Sequence, residues 1–283
     1  MFSIIGRPSL TNARLAAALT TEGHEACVLA PRELAAQPGD VVLGRLDVRP
    51  TLDGVEDGLW RLQAVADAGA RVLNRPAALL IAHDKLATAV ELGRAGLPQP
   101  RTAHVRDAHS SLPFGPPYVV KPRFGSWGRD VVIAGTGAEL ESRLRDFRRR
   151  GWFRRQGALV QELVRPTGVD LRVVVAGGEV IGAIERLAPP GEWRTNVSLG
   201  ARRLPACPTN EARELAIRAV DAVGLDLAGV DLVERADRSL VVLEVNGAVD
   251  FTTEYGLNGD DPFSLAVARL AGAPAHEALA LPA

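Results

Sequence analysis

Tyr118-Val119-Val120-Lys121-Pro122-Arg123-Phe124-Gly125-Ser126-Trp127-Gly128-Arg129 reads as a buried strand that delivers a lysine and then runs into a glycine-bearing loop. Gly125 and Gly128 let backbone N–H groups approach phosphate oxygens, and Lys121 supplies a point charge. The spacing is not that of a P-loop, because no Gly-Lys-Ser/Thr follows and the loop leads into a strand at 131–134, not a helix. Taken alone, the stretch suits an ordinary hairpin turn equally well.

Downstream, Gly229-Val230-Asp231-Leu232-Val233-Glu234 and Leu240-Val241-Val242-Leu243-Glu244-Val245-Asn246 read as two strands. If they pair, Asp231, Glu244 and Asn246 point from one face into one site, since Glu244 and Asn246 are two residues apart. Oxygen donors of this kind suit Mg²⁺, which takes a few carboxylates and completes its shell with phosphates and water. A surface hairpin with routine charges explains poorly why Glu244 and Asn246 interrupt so apolar a run. Between the two regions, Asp170, Arg172, Arg186, Arg194 and Asn196 lie on or beside consecutive strands, which aims several donors at an anionic reaction centre.

Working outward, short apolar runs at 2–5, 26–29, 40–43 and 71–73 alternate with helical patterns at 13–21 and 59–67, which predicts a parallel sheet with crossover helices. Arg45 and Arg49, beyond the third run, read as solvated charges in preference to the alternative, that they face the substrate cleft. Asn74-Arg75-Pro76 closes this pattern, and the spacing predicts a helix over 84–94 before Pro98 and Pro100. Further strands read at 158–163, 171–176 and 180–186, the last two joined by a hairpin at Gly177-Gly178. Helices read at 138–150, 211–223 and 262–271. The basic 145–155 stretch, with Trp152 and Phe153 interleaved, reads as a solvated helix end followed by a loop.

The 283 residues, 47% hydrophobic and 24% charged, have the composition of a folded soluble protein of about two domains. Thirty-three basic residues against thirty-four acidic leave no global field toward nucleic acid or a membrane, so neither is expected as a partner. Cys27 and Cys207 are too far apart for a metal motif and too few for a disulfide framework. With no basic leader and no run near the roughly 20 apolar residues of a membrane span, the expected location is cytoplasmic. Gly6-Arg7-Pro8-Ser9 after the first strand is not a dinucleotide-binding turn.

The ordered set His83-Asp84-Lys85, Gly96-Leu97-Pro98-Gln99-Pro100, Val120-Lys121-Pro122, Gly125-Ser126-Trp127-Gly128-Arg129, Val160-Gln161-Glu162, Asp170-Leu171-Arg172-Val173, Arg194-Thr195-Asn196, Gly229-Val230-Asp231 and Glu244-Val245-Asn246 resembles the RimK/LysX-like branch of the ATP-grasp superfamily. The resemblance implies an α/β architecture, α+β in its C-terminal part. An N-terminal Rossmann-like preATP-grasp domain over 1–75 would precede an ATP-grasp domain over 76–283, divided into a lid subdomain at about 100–165 and a C-terminal one at about 166–283. It further implies that Lys85, Lys121, Gly125, Ser126, Trp127 and Gly128 contact ATP phosphates. Gln161, Glu162, Leu163 and Val164 would form the adenine hinge, largely through backbone groups, with Asp170 and Arg172 also at the nucleotide. Asp231, Glu244 and Asn246 would hold Mg²⁺, as two ions, with Mn²⁺ as a substitute. Arg186, Arg194 and Asn196 would contact phosphate or an acyl intermediate.

The implied activity is a ligase joining a carboxylate to an amine through an acyl phosphate, and no obligatory catalytic base is visible in the sequence. The glycine loop would serve as a lid against water. Gly125–Arg129 and 84–100 look LysX-like, implying a small acidic amino acid joined to the terminal glutamate of a small acidic carrier protein or peptide. Glu192-Trp193-Arg194-Thr195-Asn196 looks more RimK-like, implying glutamate added to another protein or a cofactor. The run Gly247-Ala248-Val249-Asp250-Phe251-Thr252-Thr253-Glu254-Tyr255 departs from both. Relatives of this kind imply a homodimer or homotetramer. A non-catalytic ATP-binding interaction module is the alternative of another class, against which retention of both lysines and all three metal donors argues.

Overall fold

The structure is a computed structural model that describes residues 1–107, 112–164 and 166–272. Parts of the units expected at 76–283 and 100–165 therefore lie outside the described residues. The chain begins with β1 (Phe2–Ile5), α1 (Leu10–Thr21), β2 (Ala26–Leu29), β3 (Val41–Gly44), α2 (Leu59–Asp67) and β4 (Arg71–Leu73). The four strands pair in parallel in the order β2-β1-β3-β4. All of β1 is buried, as its uninterrupted apolar run requires. Helix α1 starts three residues earlier than its periodicity suggests, because the Ser9 hydroxyl accepts from the Asn12 N–H and caps it.

Next come α3 (Pro76–His83) and α4 (Lys85–Arg94), hinged at Asp84. Asp84 is extended, ends α3 and caps α4 by accepting from the Leu86 N–H. Helix α3 escapes a periodic reading because it is apolar almost throughout and buried on most sides. Then β5 (Thr102–Val105), β6 (Tyr118–Pro122), β7 (Val132–Ala134), α5 (Gly137–Phe147), α6 (Gly151–Gln156) and β8 (Ala158–Glu162) follow, with an antiparallel sheet ordered β5-β8-β6-β7. The helix expected over 138–150 instead stops at Phe147, and the expected loop after it is α6. Trp152 is buried against Phe147 and Phe153 against Trp152, so these aromatics are core and the arginines around them form the solvated rim.

The remaining elements are β9 (Val169–Ala176), β10 (Glu179–Leu187), β11 (Arg202–Pro205), α7 (Asn210–Val223), β12 (Leu227–Glu234), β13 (Leu240–Asn246) and α8 (Pro262–Gly272). They build an antiparallel sheet ordered β11-β10-β9-β12-β13. Gly177 and Gly178, at φ +52° and +79°, supply the two left-handed positions of the β9–β10 turn. Helix α7 packs on this sheet, and α8 packs on β9 and β10 while touching α1. Among the described residues, no helix is long and apolar enough to cross a membrane.

Asn74, fully buried at the end of β4, ties the N-terminal sheet to the C-terminal one. Its Nδ2 donates to the Leu227 and Gly247 carbonyls, and its Oδ1 accepts from the Asp226 and Leu227 N–H groups. Asn74→Ala strands several buried partners at a cost of ~1–3 kcal/mol each. The expected result is a loss of at least ~3 kcal/mol in urea unfolding, and a loss below ~1 kcal/mol would refute this role.

Candidate active site

Strands β12 and β13 pair so that Asp231 lies opposite Glu244 and Gly229 opposite Asn246, which puts all three oxygen-bearing side chains on one face. The Asp231 carboxylate is buried and accepts from Arg172 Nε and Nη2 at 2.6 and 2.7 Å and from Arg186 Nη2 at 2.8 Å. Arg186 also forks onto Asp170, whose Oδ2 accepts from the Thr195 hydroxyl at 2.6 Å. The result is an alternating chain of two carboxylates and two guanidiniums across β9, β10 and β12. Burial alone would raise the Asp231 carboxyl, but Arg172 and Arg186 overcome that and hold it well below the usual carboxylate range. For Asp170, burial prevails over Arg186 and the shift is upward.

Lys85, the first residue of α4, donates from Nζ to Glu244 Oε1 at 2.7 Å and to the Gly125 carbonyl at 2.5 Å. It therefore joins the acidic face to the loop between β6 and β7. That loop reaches across the site: Arg194 donates to the Gly128 carbonyl, and Ser198 donates to that of Trp127. Gly128 sits at φ +71°, and a Cβ there would fall 2.6 Å from Asn196 Oδ1, so only glycine allows this approach. Arg194 is also clamped by Glu192, whose carboxyl this pairing holds down at about 2.

At the other end of the site, β8 runs out through Glu162. The Glu162 side chain does not face the cleft freely: Arg101 and Arg235 bind it, overcoming the upward push of burial. Gln161 is buried and donates to Thr102. The Leu163 N–H donates to the Pro117 carbonyl at 3.1 Å, so at Leu163 the carbonyl, not the N–H, is the backbone group left for a base.

These groups border two adjoining cavities. One, of about 150 Å³, is lined by Lys85, Lys121, the loop residues Gly125 to Gly128, the 161–164 hinge, Asp170, Arg194 and Asp231. The other, of about 300 Å³, is lined by Arg7, Asp47, His83, Arg172, Arg203, Asn246, Asp250 and Tyr255. Ser126, Trp127, Arg186, Asn196 and Glu244 belong to both. The structure thus gathers every sequence-expected site residue around one cleft, but it moves Arg172 and Asn246 to the second cavity.

Sequence reading missed Arg7, Asp47, Arg203 and Asp250, which come from segments with no recognisable motif. It also mistook Arg45. Arg49 is solvated beside Asp57, but Arg45 is buried, donating to Asn12 Oδ1 and the Val249 carbonyl, and burial lowers it to about 10. It anchors the run after Asn246 to the N-terminal sheet.

The RimK-like ATP-grasp domain matches residues 82–259, well over half of the chain. The chain belongs to the RimK-like ATP-grasp family. A ribosomal protein bS6–L-glutamate ligase of Escherichia fergusonii is 39% identical over 186 residues, covering 64% of this chain and 60% of that enzyme. One of Escherichia coli is 37% identical over 215 residues, covering 74% and 69%. Among solved structures, a RimK domain ATP-grasp protein of Sphaerobacter thermophilus matches with TM-score 0.70 over 96% of this chain and 100% of that one, at 22% identity. D-cycloserine synthetase DcsG matches with TM-score 0.72 over 95% and 100%, also at 22% identity. These structures share the ATP-grasp fold with this chain.

For a RimK-like protein, the donors fit a hard cation. Asp231, Glu244 and Asn246 offer oxygens, with the Asp231 carboxylate shared with Arg172 and Arg186 and Glu244 Oε1 shared with Lys85, and Asn246 commits its amide N–H at 3.4 Å to the Gly229 carbonyl. Among the described residues no three acidic, histidine or cysteine side chains converge as a ready-made chelate. Lys121 is buried, and burial with Lys85 beside it lowers its ammonium to about 8. Phosphate oxygens nearby would raise it again. ATP binding at pH 8 to 9 is therefore expected to take up a proton, read by calorimetry in buffers of different ionisation enthalpy. Binding heat independent of buffer would place Lys121 away from the phosphates.

Proposed function

We propose that the chain is a Mg-ATP-dependent carboxylate–amine ligase that couples an acidic amino acid, through its amino group, to a carboxylate of a protein or peptide. The observation that carries this reading is the meeting of the two cavities at Arg186, Asn196, Glu244 and the loop residues Ser126 and Trp127. The smaller cavity has the lysines, hinge and glycine loop that suit a nucleotide. The larger is lined by four arginines and by the carboxylates Asp47, Glu244 and Asp250, a mixture of charges that suits an amino acid bearing both signs.

In this reading a substrate carboxylate at the junction attacks the γ-phosphate, the bond to ADP breaks, and an acyl phosphate forms. An amine from the larger cavity then attacks the acyl carbon, and phosphate leaves. Lys85 and Lys121 hold phosphate oxygens, Arg186 and Asn196 orient the transferring group, and the Gly125–Gly128 loop excludes water. Asp231, Glu244 and Asn246 would hold Mg²⁺, which neutralises phosphate charge. The relatives named as bS6 glutamate ligases support a protein acceptor with glutamate as amine. A carrier protein ending in glutamate rests on the LysX-like motifs alone.

The test is ADP release with candidate amino acids and proteins or peptides ending in glutamate, read beside the mass of the acceptor. ADP should appear only with both substrates, and the acceptor should gain one amino-acid residue. Release of AMP, or tight ATP binding without turnover against any pair, would overturn the reading and, in the second case, favour a binding module.

A further inference from the structure

The loop between β6 and β7 carries a strained residue. Trp127 holds a left-handed backbone, φ +66°, which a bulky side chain keeps only where its surroundings over-determine it. Its indole is also 48% exposed, so burial offsets little of that strain. What the indole meets is Arg7, from the loop between β1 and α1. The guanidinium carbon lies 5.2 Å from the ring centroid, within cation–π range. Both residues border the larger cavity.

Arg7 is held in place from its own side. Its carbonyl accepts from Asn12 Nδ2 at 2.9 Å, and its Nη2 donates to Asp47 Oδ2, also at 2.9 Å. The other Asp47 oxygen accepts from the Val48 N–H, which fixes the carboxylate. From the opposite side, Arg194 and Ser198 donate to the Gly128 and Trp127 carbonyls. Arg129 adds a second tie to the N-terminal unit, donating to the Pro50 carbonyl at 3.3 Å. Arg194 and Ser198 thus hold the backbone of the loop, while Arg7 holds its exposed side chain.

Resting on the ligase reading above, we infer that Arg7 is a positioning residue that latches the Trp127 loop shut against the larger cavity, so that the acyl phosphate meets the amine and not water. With the latch open, a water oxygen attacks the acyl carbon and the C–O bond to phosphate breaks with its electron pair. The carboxylate is regenerated, and the two water protons go to the phosphate and to solvent. The net reaction is ATP hydrolysis without amide. Arg7 does not line the nucleotide cavity, so it acts through Trp127 on the fate of the intermediate.

The experiment compares the full-length protein with Arg7→Met, Arg7→Lys, Trp127→Ala and the double variant of Arg7→Met with Trp127→Ala. Each is given Mg-ATP, a synthetic peptide ending in glutamate, and L-glutamate. ADP release and the mass of the peptide together give the ADP released per amide formed. Arg7→Met keeps the length of the side chain without its charge, and should raise this ratio ~3–10-fold over wild type. Arg7→Lys keeps a cation for the indole and should lie between the two. Trp127→Ala should raise the ratio as well, and the double variant should go no further, because both changes remove the same contact. An unchanged ratio in Arg7→Met, or additive effects in the double variant, overturns the proposal. A merely structural role would lower ADP and amide together and leave the ratio at its wild-type value.

A second measurement needs no turnover. In protein labelled with 5-fluorotryptophan, the ¹⁹F resonance absent from Trp127→Ala belongs to Trp127. In Arg7→Met it should move toward the position of the free amino acid while those of Trp60 and Trp152 hold theirs. An unmoved Trp127 resonance overturns the proposal. Wild-type protein that releases no ADP with both substrates, yet shows this shift, counts against the ligase reading and leaves the latch standing.

Discussion

Glu244→Gln lowers the rate of ADP release by ~10²–10³-fold while leaving the melting temperature within a few degrees of wild type. The substitution keeps the size of the side chain and removes its charge. Three things then change at the junction of the two cavities. Lys85 Nζ, 2.7 Å from Glu244 Oε1, loses its counter-charge. The face shared with Asp231 and Asn246 loses one of its two carboxylates. The carboxylate oxygen proposed to hold Mg²⁺ becomes a neutral amide oxygen, a weaker donor for a hard ion. Folding is barely affected because the Glu244 side chain is 24% exposed. The measurement is coupled ADP release as a function of Mg²⁺, where the variant should need more metal to reach a lower plateau. Turnover within ~3-fold of wild type would remove Glu244 from the reaction centre.

Arg186→Met destabilises the protein by ~3–5 kcal/mol, because it leaves buried carboxylates without their shared partner. Arg186 is 3% exposed and serves Asp170 and Asp231 together. Without it Asp231 retains Arg172, a full opposing charge, whereas Asp170 falls back on the neutral Thr195 hydroxyl. Asp170, already pushed up by burial, then folds as the neutral acid. The sign follows: the variant's folded carboxyl lies above its unfolded value, so its deficit relative to wild type shrinks as pH falls toward the acid range. Urea unfolding at pH 7 and pH 5 checks both statements, and the double variant with Asp170→Asn should recover part of the loss. A loss below ~1 kcal/mol at pH 7 would show that the cluster does not depend on Arg186.

How much of this was legible in the chain differs from one element to the next. Strands β1, β2, β6, β9, β12 and β13 announce themselves because each is a short apolar run bounded by polar or glycine residues. Alternation alone placed Glu244 and Asn246 on one face, and the observed register added Asp231. Helix α3 was illegible for the opposite reason: when nearly every residue is buried, no period remains to read. The break at Arg148 escaped detection because helix-favouring arginines run straight through it, and burial of Trp152 and Phe153 decides where the chain turns.

The sequence by itself marked one side of the cleft, since Lys121, the Gly125–Gly128 loop and the β12–β13 oxygens stand out as local patterns, while the place of Lys85 among them came from the family resemblance. Only the tertiary structure decided the other side. Arg7, Asp47, His83, Arg203 and Asp250 come from segments far apart in the chain and meet only when the N-terminal sheet docks on the C-terminal one. Arg45 shows the physical reason most plainly: read in isolation an arginine costs least in water, but in the fold Asn12, Val249 and Asp250 supply the partners that let it be buried. Whether a charge is solvated or enclosed depends on what the rest of the chain brings to it, and no local window contains that information.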